Sequence, residues 1–227
     1  MIPGPDQVIA CPHCGSFARS ETLISGNNLG EELWTDLRVV TPMLPEVPPF
    51  IRCAACRAFY WRHQAPVLGE ILGTYSRDEG SRAMSHNPAW LAASYVTEPE
   101  IEDYEDALRT ALPDDRLLER LIRLRAFQRW NDGCRAGQHL DALTPDPPGR
   151  GLPAAHWQRR NLERLLAMID GDGTGQSLLR AEIFRALGRF AEAKSVYAGI
   201  NPQDFETTRR QLLTLCDKSI TTVRRLR

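Results

Sequence analysis

Cys11-Pro12-His13-Cys14-Gly15 and Cys53-Ala54-Ala55-Cys56 are the stretches that decide how this sequence is read. Each is a Cys-x-x-Cys hook. Its two-residue gap lets both thiolates turn onto one ion while backbone N–H groups point at the sulfurs. Four thiolates fill a tetrahedral zinc and leave no open position, so the spacing predicts a structural Zn²⁺ held by Cys11, Cys14, Cys53 and Cys56. The competing reading is a pair of redox dithiols or disulfides. A thioredoxin-type motif needs a βαβ context, which is missing around these hooks. His13 and His63 lie close by and, with four thiols present, are expected to be bystanders.

Such a site binds with about 10–16 kcal/mol in small zinc peptides, comparable to the stability of a whole domain. Metal and local fold should therefore come and go together. Gly15 supplies the left-handed backbone that follows a hook. Arg57 takes the matching place after the second hook. It is expected to bear about 1 kcal/mol of backbone strain there while setting a cation beside a formally dianionic site.

Working outward, Val8-Ile9-Ala10 leads into the first hook as a strand and Ser16 to Ile24 leads out of it. Ser25-Gly26-Asn27-Asn28 reads as a turn. Glu32 to Val40 alternates, with Leu33, Leu37 and Val39 on one face and Trp34, Asp36 and Arg38 on the other, which predicts a strand. Thr41 to Pro49 carries four prolines and is a stiff connector. Phe50-Ile51-Arg52 and Ala58-Phe59-Tyr60-Trp61 are extended runs on either side of the second hook. Strand, hook, strand, twice over, resembles the zinc ribbon across about the first 65 residues. That resemblance implies a small β domain clamped by its metal.

The chain has 227 residues, 42% hydrophobic and 25% charged, an ordinary globular composition. A net charge of −1 gives no global attraction to nucleic acid or an anionic membrane. No apolar run approaches the ~20 residues of a membrane span. Met1-Ile2-Pro3-Gly4-Pro5-Asp6 lacks the features of a signal peptide, so a cytoplasmic protein with reduced cysteines is expected. Cys134 and Cys216 read as buried small hydrophobes.

Ser76 to Ser81 is polar and marks a boundary, which gives a ribbon domain over 1–75, a linker and docking segment over 76–96 that seats Trp90, and a helical domain over 97–227. Thr97-Glu98-Pro99-Glu100 has the form of a capping box. Ile101, Tyr104, Ala107, Leu108 and Leu112 form an apolar stripe ended by Pro113. Asp114 or Asp115 caps the next helix, with Leu117, Leu118, Leu121, Ile122, Leu124, Phe127 and Trp130 facing inward. Its arginines at 116, 120, 123, 125 and 129 read as a solvated face rather than a phosphate grip. Thr144 to Gly151 is a Pro/Gly loop, and His156 to Ile169 a helix with Trp157, Leu162, Leu165, Leu166 and Ile169 as its core side. Asp170 to Gly175 lacks the remaining ligands of a calcium loop and reads as a turn. Residues 203–218 form a last helix, followed by a basic tail with Arg224, Arg225 and Arg227.

Ala181, Phe184, Gly188, Phe190, Ala193, Tyr197 and Pro202 fall at the small and large positions of a tetratricopeptide repeat. The segment near 174–202 resembles one such unit. The overall expectation is an α+β chain, a small β zinc ribbon followed by an all-α, tetratricopeptide-like domain. No nucleophile with its base, phosphate loop or helical His-x-x-x-His is legible, so no enzyme is expected. His86, His139 and His156 are scattered. The combination resembles bacterial zinc-ribbon proteins with a tetratricopeptide-like region. What that resemblance implies is an adaptor for a protein or peptide partner, with an immunity or chaperone-like protein that masks a toxin or effector as its specialised form. The alternative is a nucleic-acid-associated regulator using Arg19, Arg52, Arg57 and Arg62 with Phe17, Tyr60 and Trp61.

Overall fold

The computed structural model describes residues 1–44, 46–71, 87–110, 115–137, 153–171, 173–200 and 202–226. Strands fill the N-terminal part and helices the rest, an α+β arrangement. The chain divides into two compact units, Met1–Glu31 with Val40–Asp103, and Glu32–Val39 with Tyr104–Arg227. The predicted boundary at Ser76 to Ser81 lies outside the described residues, and the division falls instead inside a helix. A short segment from between the two hooks belongs to the helical unit.

In the first unit, β1 (Ile2–Pro3) pairs with β4 (Leu23–Ser25). The main sheet is centred on β2 (Asp6–Ala10), which has β3 (Phe17–Ser20) on one side and β9 (Val67–Ile71) on the other, both antiparallel. Central placement explains why Val8 and Ile9 are fully buried. β7 (Phe50–Arg52) and β8 (Phe59–Trp61) form a second antiparallel pair, with Ile51 opposite Tyr60. Between these strands Ile9, Ile51, Tyr60 and Ala65 pack with Cys11 and Cys53 in one apolar cluster.

β9 is not predicted from the sequence because Gly69 interrupts its run of apolar residues. The glycine has a packing reason. A Cβ at position 69 would come 2.6 Å from the Trp90 ring. Trp90 sits on α1 (Pro88–Leu91), capped by Asn87, whose Oδ1 accepts from Ala89 N–H at 3.0 Å. The expected docking of Trp90 is therefore against the backbone of β9. Beyond α1, Ser94 to Val96 runs alongside β3, with Arg19 N–H donating to the Ser94 carbonyl at 2.9 Å.

α2 (Ile101–Thr110) begins four residues after Thr97. The carboxylate that caps it is Asp103, which accepts from Glu100 N–H at 3.2 Å, so the cap lies three residues further along than the expected box. Tyr104, Ala107 and Leu108 are buried as their spacing predicts, while Leu112 and Pro113 lie outside the described residues. α3 (Arg116–Trp130) is capped by Asp115, which accepts from Leu117 and Leu118 N–H. Leu117, expected to face inward, sits in the first turn and is 65% exposed. A single turn, α4 (Asp132–Arg135), follows, then α5 (Pro153–Leu166), α6 (Thr174–Ala186), α7 (Phe190–Gly199) and α8 (Pro202–Asp217).

Phe127, Leu162, Leu165 and Ile183 join α3, α5 and α6 in one core cluster. Ala181, Ala193, Tyr197, Leu212 and Cys216 join α6, α7 and α8 in another. Between α6 and α7, Gly188 takes φ +75°, and Arg189 N–H reaches the Phe184 carbonyl at 2.8 Å, the six-to-one bond of a glycine-terminated helix. No described helix is long and apolar enough to cross a membrane.

Glu32 to Val40 departs from the predicted strand. Only β5 (Glu32–Leu33) and β6 (Val39–Val40) are extended. Between them Asp36 Oδ1 accepts from Arg38 N–H at 3.2 Å and Leu37 takes φ 61°, so the chain turns back. Asp36, 0% exposed, is the acceptor for Asn131 Nδ2 at 2.9 Å and for the Arg135 guanidinium, while its carbonyl accepts from Gln128 Nε2. Thr35 donates to Glu182 at 2.8 Å and accepts from Arg185 at 3.1 Å. Arg185 in turn holds both oxygens of Glu182, and donates to the Ile220 and Thr222 carbonyls. Tyr197 O–H completes the set on Glu182 Oε2 at 3.3 Å.

The expected basic tail is tied into the same place. Thr35 N–H donates to the Arg224 carbonyl at 3.0 Å, Leu226 N–H to the Leu33 carbonyl at 2.8 Å, and Arg225 pairs with Glu32 at 2.7 Å.

Candidate metal centre

The two hooks fold alike because each closes on itself with the same pair of backbone bonds. Cys11 N–H donates to the Ser16 carbonyl at 2.8 Å and Gly15 N–H to the Cys11 carbonyl at 2.9 Å. In the second hook Cys53 N–H donates to the Ala58 carbonyl and Arg57 N–H to the Cys53 carbonyl. Gly15 takes φ 74° and Arg57 φ 62°, so the arginine keeps the geometry that glycine favours and carries the expected strain. The antiparallel strand pairs then bring the hooks face to face.

All four sulfurs lie within 4.8 Å of one another. Cys11 Sγ is 3.8 Å from Cys56 Sγ, and Cys14 Sγ is 3.8 Å from Cys53 Sγ. An ion bound at ~2.3 Å from each sulfur of a regular tetrahedron needs sulfurs about 3.8 Å apart, so the cage fits a tetrahedral thiolate-bound metal. All four are free thiols, with no disulfide. Cys11 and Cys53 are buried, Cys14 and Cys56 exposed, so one rim of the cage faces solvent.

Ser16 is a member of the site that the spacing of cysteines does not reveal. Its Oγ lies 3.2 Å from both Cys14 Sγ and Cys53 Sγ, accepting from the Cys14 thiol and leaving its own hydrogen for Cys53. Ala58 holds the matching place in the second hook, which is the one asymmetry that could have flagged it. Its effect is large. Burial pushes the Cys53 thiol up, but Ser16 and the N–H groups of Cys56 and Ala55 outweigh it and pull the thiol down to about 6. At Cys56 the Ala58 N–H pulls downward, yet burial and three neighbouring sulfurs prevail and push it to about 12. Ionised sulfur is thus favoured at one corner and opposed at another until a cation arrives.

His13 Nε2 is 3.2 Å from the Phe59 carbonyl and takes no place in the cage. Arg52 and Arg57 both reach Asp103, the latter at 3.4 Å, so two guanidiniums share one carboxylate beside the hooks. Of the other residues singled out in the sequence, Arg19 stacks over the Tyr95 ring at 4.0 Å, and Tyr60 and Trp61 are 3% and 7% exposed. Cys216 is buried in the α6–α8 core and Cys134 half-buried, while His86 and His139 lie outside the described residues. No protein-family model, curated protein or solved structure matches the chain.

Proposed function

We propose that this chain is a non-enzymatic adaptor for a protein or peptide partner, built on a structural four-cysteine zinc site. The observation that carries the reading is the closed cage. Four sulfurs at tetrahedral spacing leave no position for water or substrate, so a zinc ion there clamps the hooks and performs no chemistry. The buried Glu182–Arg185 pair is likewise fully engaged in holding Thr35, Tyr197 and the 220–222 backbone. Polar groups that use their bonding capacity internally brace a fold. What remains for function is surface.

The α6–α7 pair, closed over Ala181 and Ala193 and turned at Gly188, supports reading residues 174–202 as a tetratricopeptide-like unit with α5 and α8 as its neighbours. The nucleic-acid regulator is less well supported. Two of its four arginines share the Asp103 carboxylate and a third is stacked on Tyr95, and two of its three aromatics are buried. The test is native mass spectrometry for zinc, joined to affinity capture with the intact chain in its own host. One zinc per chain and a stoichiometric protein partner that survives nuclease are expected. Recovery of nucleic acid with steep salt dependence would replace the adaptor by the regulator.

A further inference from the structure

A cleft of about 380 Å³ opens in the helical unit among α2, α3 and α5. Its wall carries Arg109, Arg123, Arg160 and Arg164, with Glu105 as its one carboxylate and Trp157 as its large aromatic surface. Positions 157, 160 and 164 are one helical turn apart each, so α5 presents ring and guanidiniums on one face.

Part of this charge is set in place by the protein. Arg123 Nε donates to Glu119 at 2.8 Å and Nη1 to Asn161 Oδ1 at 3.2 Å, while Asn161 Nδ2 donates back to the Arg123 carbonyl at 3.1 Å. Arg164 leans on the same Glu119 oxygen at 3.4 Å, and Arg109 pairs with Asp106 at 2.9 Å. Even with Glu105, Asp106 and Glu119 all counted, the cleft keeps a positive surplus. Arg160 is exposed and has no hydrogen-bond or ion-pair partner among the described residues.

Guanidinium forks match the oxygens of phosphate two at a time. The volume falls in the range of about 300–1,000 Å³ typical of small-molecule sites, large enough for one nucleotide and too small for a folded partner. A flat indole beside them suits a stacked base. We propose that this cleft binds a mononucleotide, with the phosphate on Arg160 and Arg164 and the base against Trp157. It does not rest on the adaptor reading.

The experiment is isothermal titration of the intact, zinc-loaded chain with AMP, ATP, adenosine, inorganic phosphate and a single-stranded oligonucleotide. Saturable binding of a mononucleotide is expected, with adenosine and phosphate each weaker by about 10-fold or more, since each supplies one half of the contacts. Arg160→Ala should weaken it by about 10-fold and Trp157→Leu by about 5-fold or more, while Arg189→Ala, at the residue before α7, leaves it unchanged. Arg160 is exposed, so its substitution does not threaten the fold. No saturable binding at millimolar nucleotide, binding by the oligonucleotide alone, or an Arg160→Ala variant that binds as tightly as the parent would each overturn the proposal.

Discussion

Gly15 and Arg57 occupy equivalent places after the two hooks, both left-handed, with φ 74° and 62°. Nothing lies within 4 Å of a Cβ built on Gly15, so the cost of a side chain there is purely one of backbone. Gly15→Ala should destabilise the zinc-loaded protein by about 1–2 kcal/mol. Arg57→Gly should stabilise it by up to about 1 kcal/mol, because the ion pair it loses to Asp103 is exposed and weak. Denaturant titrations of both variants check this, and shifts of the same sign would contradict it. At Ser16 the effect is on the metal. Removing the hydroxyl between Cys14 and Cys53 should raise the Cys53 thiol and lower zinc affinity by about 10-fold, read by competition with a chromophoric chelator. The pH dependence has a definite sign. At neutral pH Cys53, near 6, is already ionised, whereas Cys56, near 12, still holds its proton. Uptake of the proposed zinc should therefore expel protons, with affinity falling as pH falls. A weakly buffered titration that shows no acidification on metal addition would rule this out.

Among the elements, α6 stakes most on one buried pair. Glu182 and Arg185 are 1% and 0% exposed and lie one helical turn apart. Arg185→Met leaves Glu182 charged and unmatched and should cost about 3–5 kcal/mol. The double variant Glu182→Leu, Arg185→Met should recover much of that loss, which a double-mutant cycle measures directly. On α3, burial raises the Glu119 carboxyl but hydrogen bonds and charge from Arg123 and Arg164 hold it below its usual range. Its contribution is therefore complete at neutral pH and is lost as pH falls below about 4.5 through the lowered value. Glu119→Gln should flatten the acid limb of the stability curve. The hooks and most helices were legible because a Cys-x-x-Cys spacing or a 3.6-residue period is a local property. Asp115, Ile122 and Phe127 stand where their pattern places them. Thr35 and Asp36 were not legible, since alternation says which residues share a face and nothing about a partner more than 90 positions away. Ser16 was missed for a different reason, that its role depends on the second hook.

At the scale of the whole molecule, the segment Glu32–Val39 belongs to the same compact unit as Tyr104–Arg227, so a cut at residue 97 would part it from the helices. A fragment spanning 97–227 lacks Thr35 and Asp36, and so leaves Glu182, Asn131 and Arg135 short of partners they hold in the intact chain. It should unfold without cooperativity, and a peptide covering residues 30–41 added in trans should restore a sharp transition by circular dichroism. A fragment that melts as sharply as the full protein would refute this. The interleaving also sets an order in time. Both hooks are synthesised by residue 56 and can close on an ion while the helices do not yet exist. Residues 32–39 are then a tethered loop with nowhere to go. Their resting place arrives in instalments, with Asn131 and Arg135 first, Glu182 and Arg185 next, and Arg224, 189 positions after Thr35, near the last. Loop closure over such separations is slow compared with helix formation. The fold thus reaches its final state only after residues 220–226 leave the ribosome, and a chain stopped just before them would leave Arg185 without the Ile220 and Thr222 carbonyls and the Thr35 N–H without the Arg224 carbonyl.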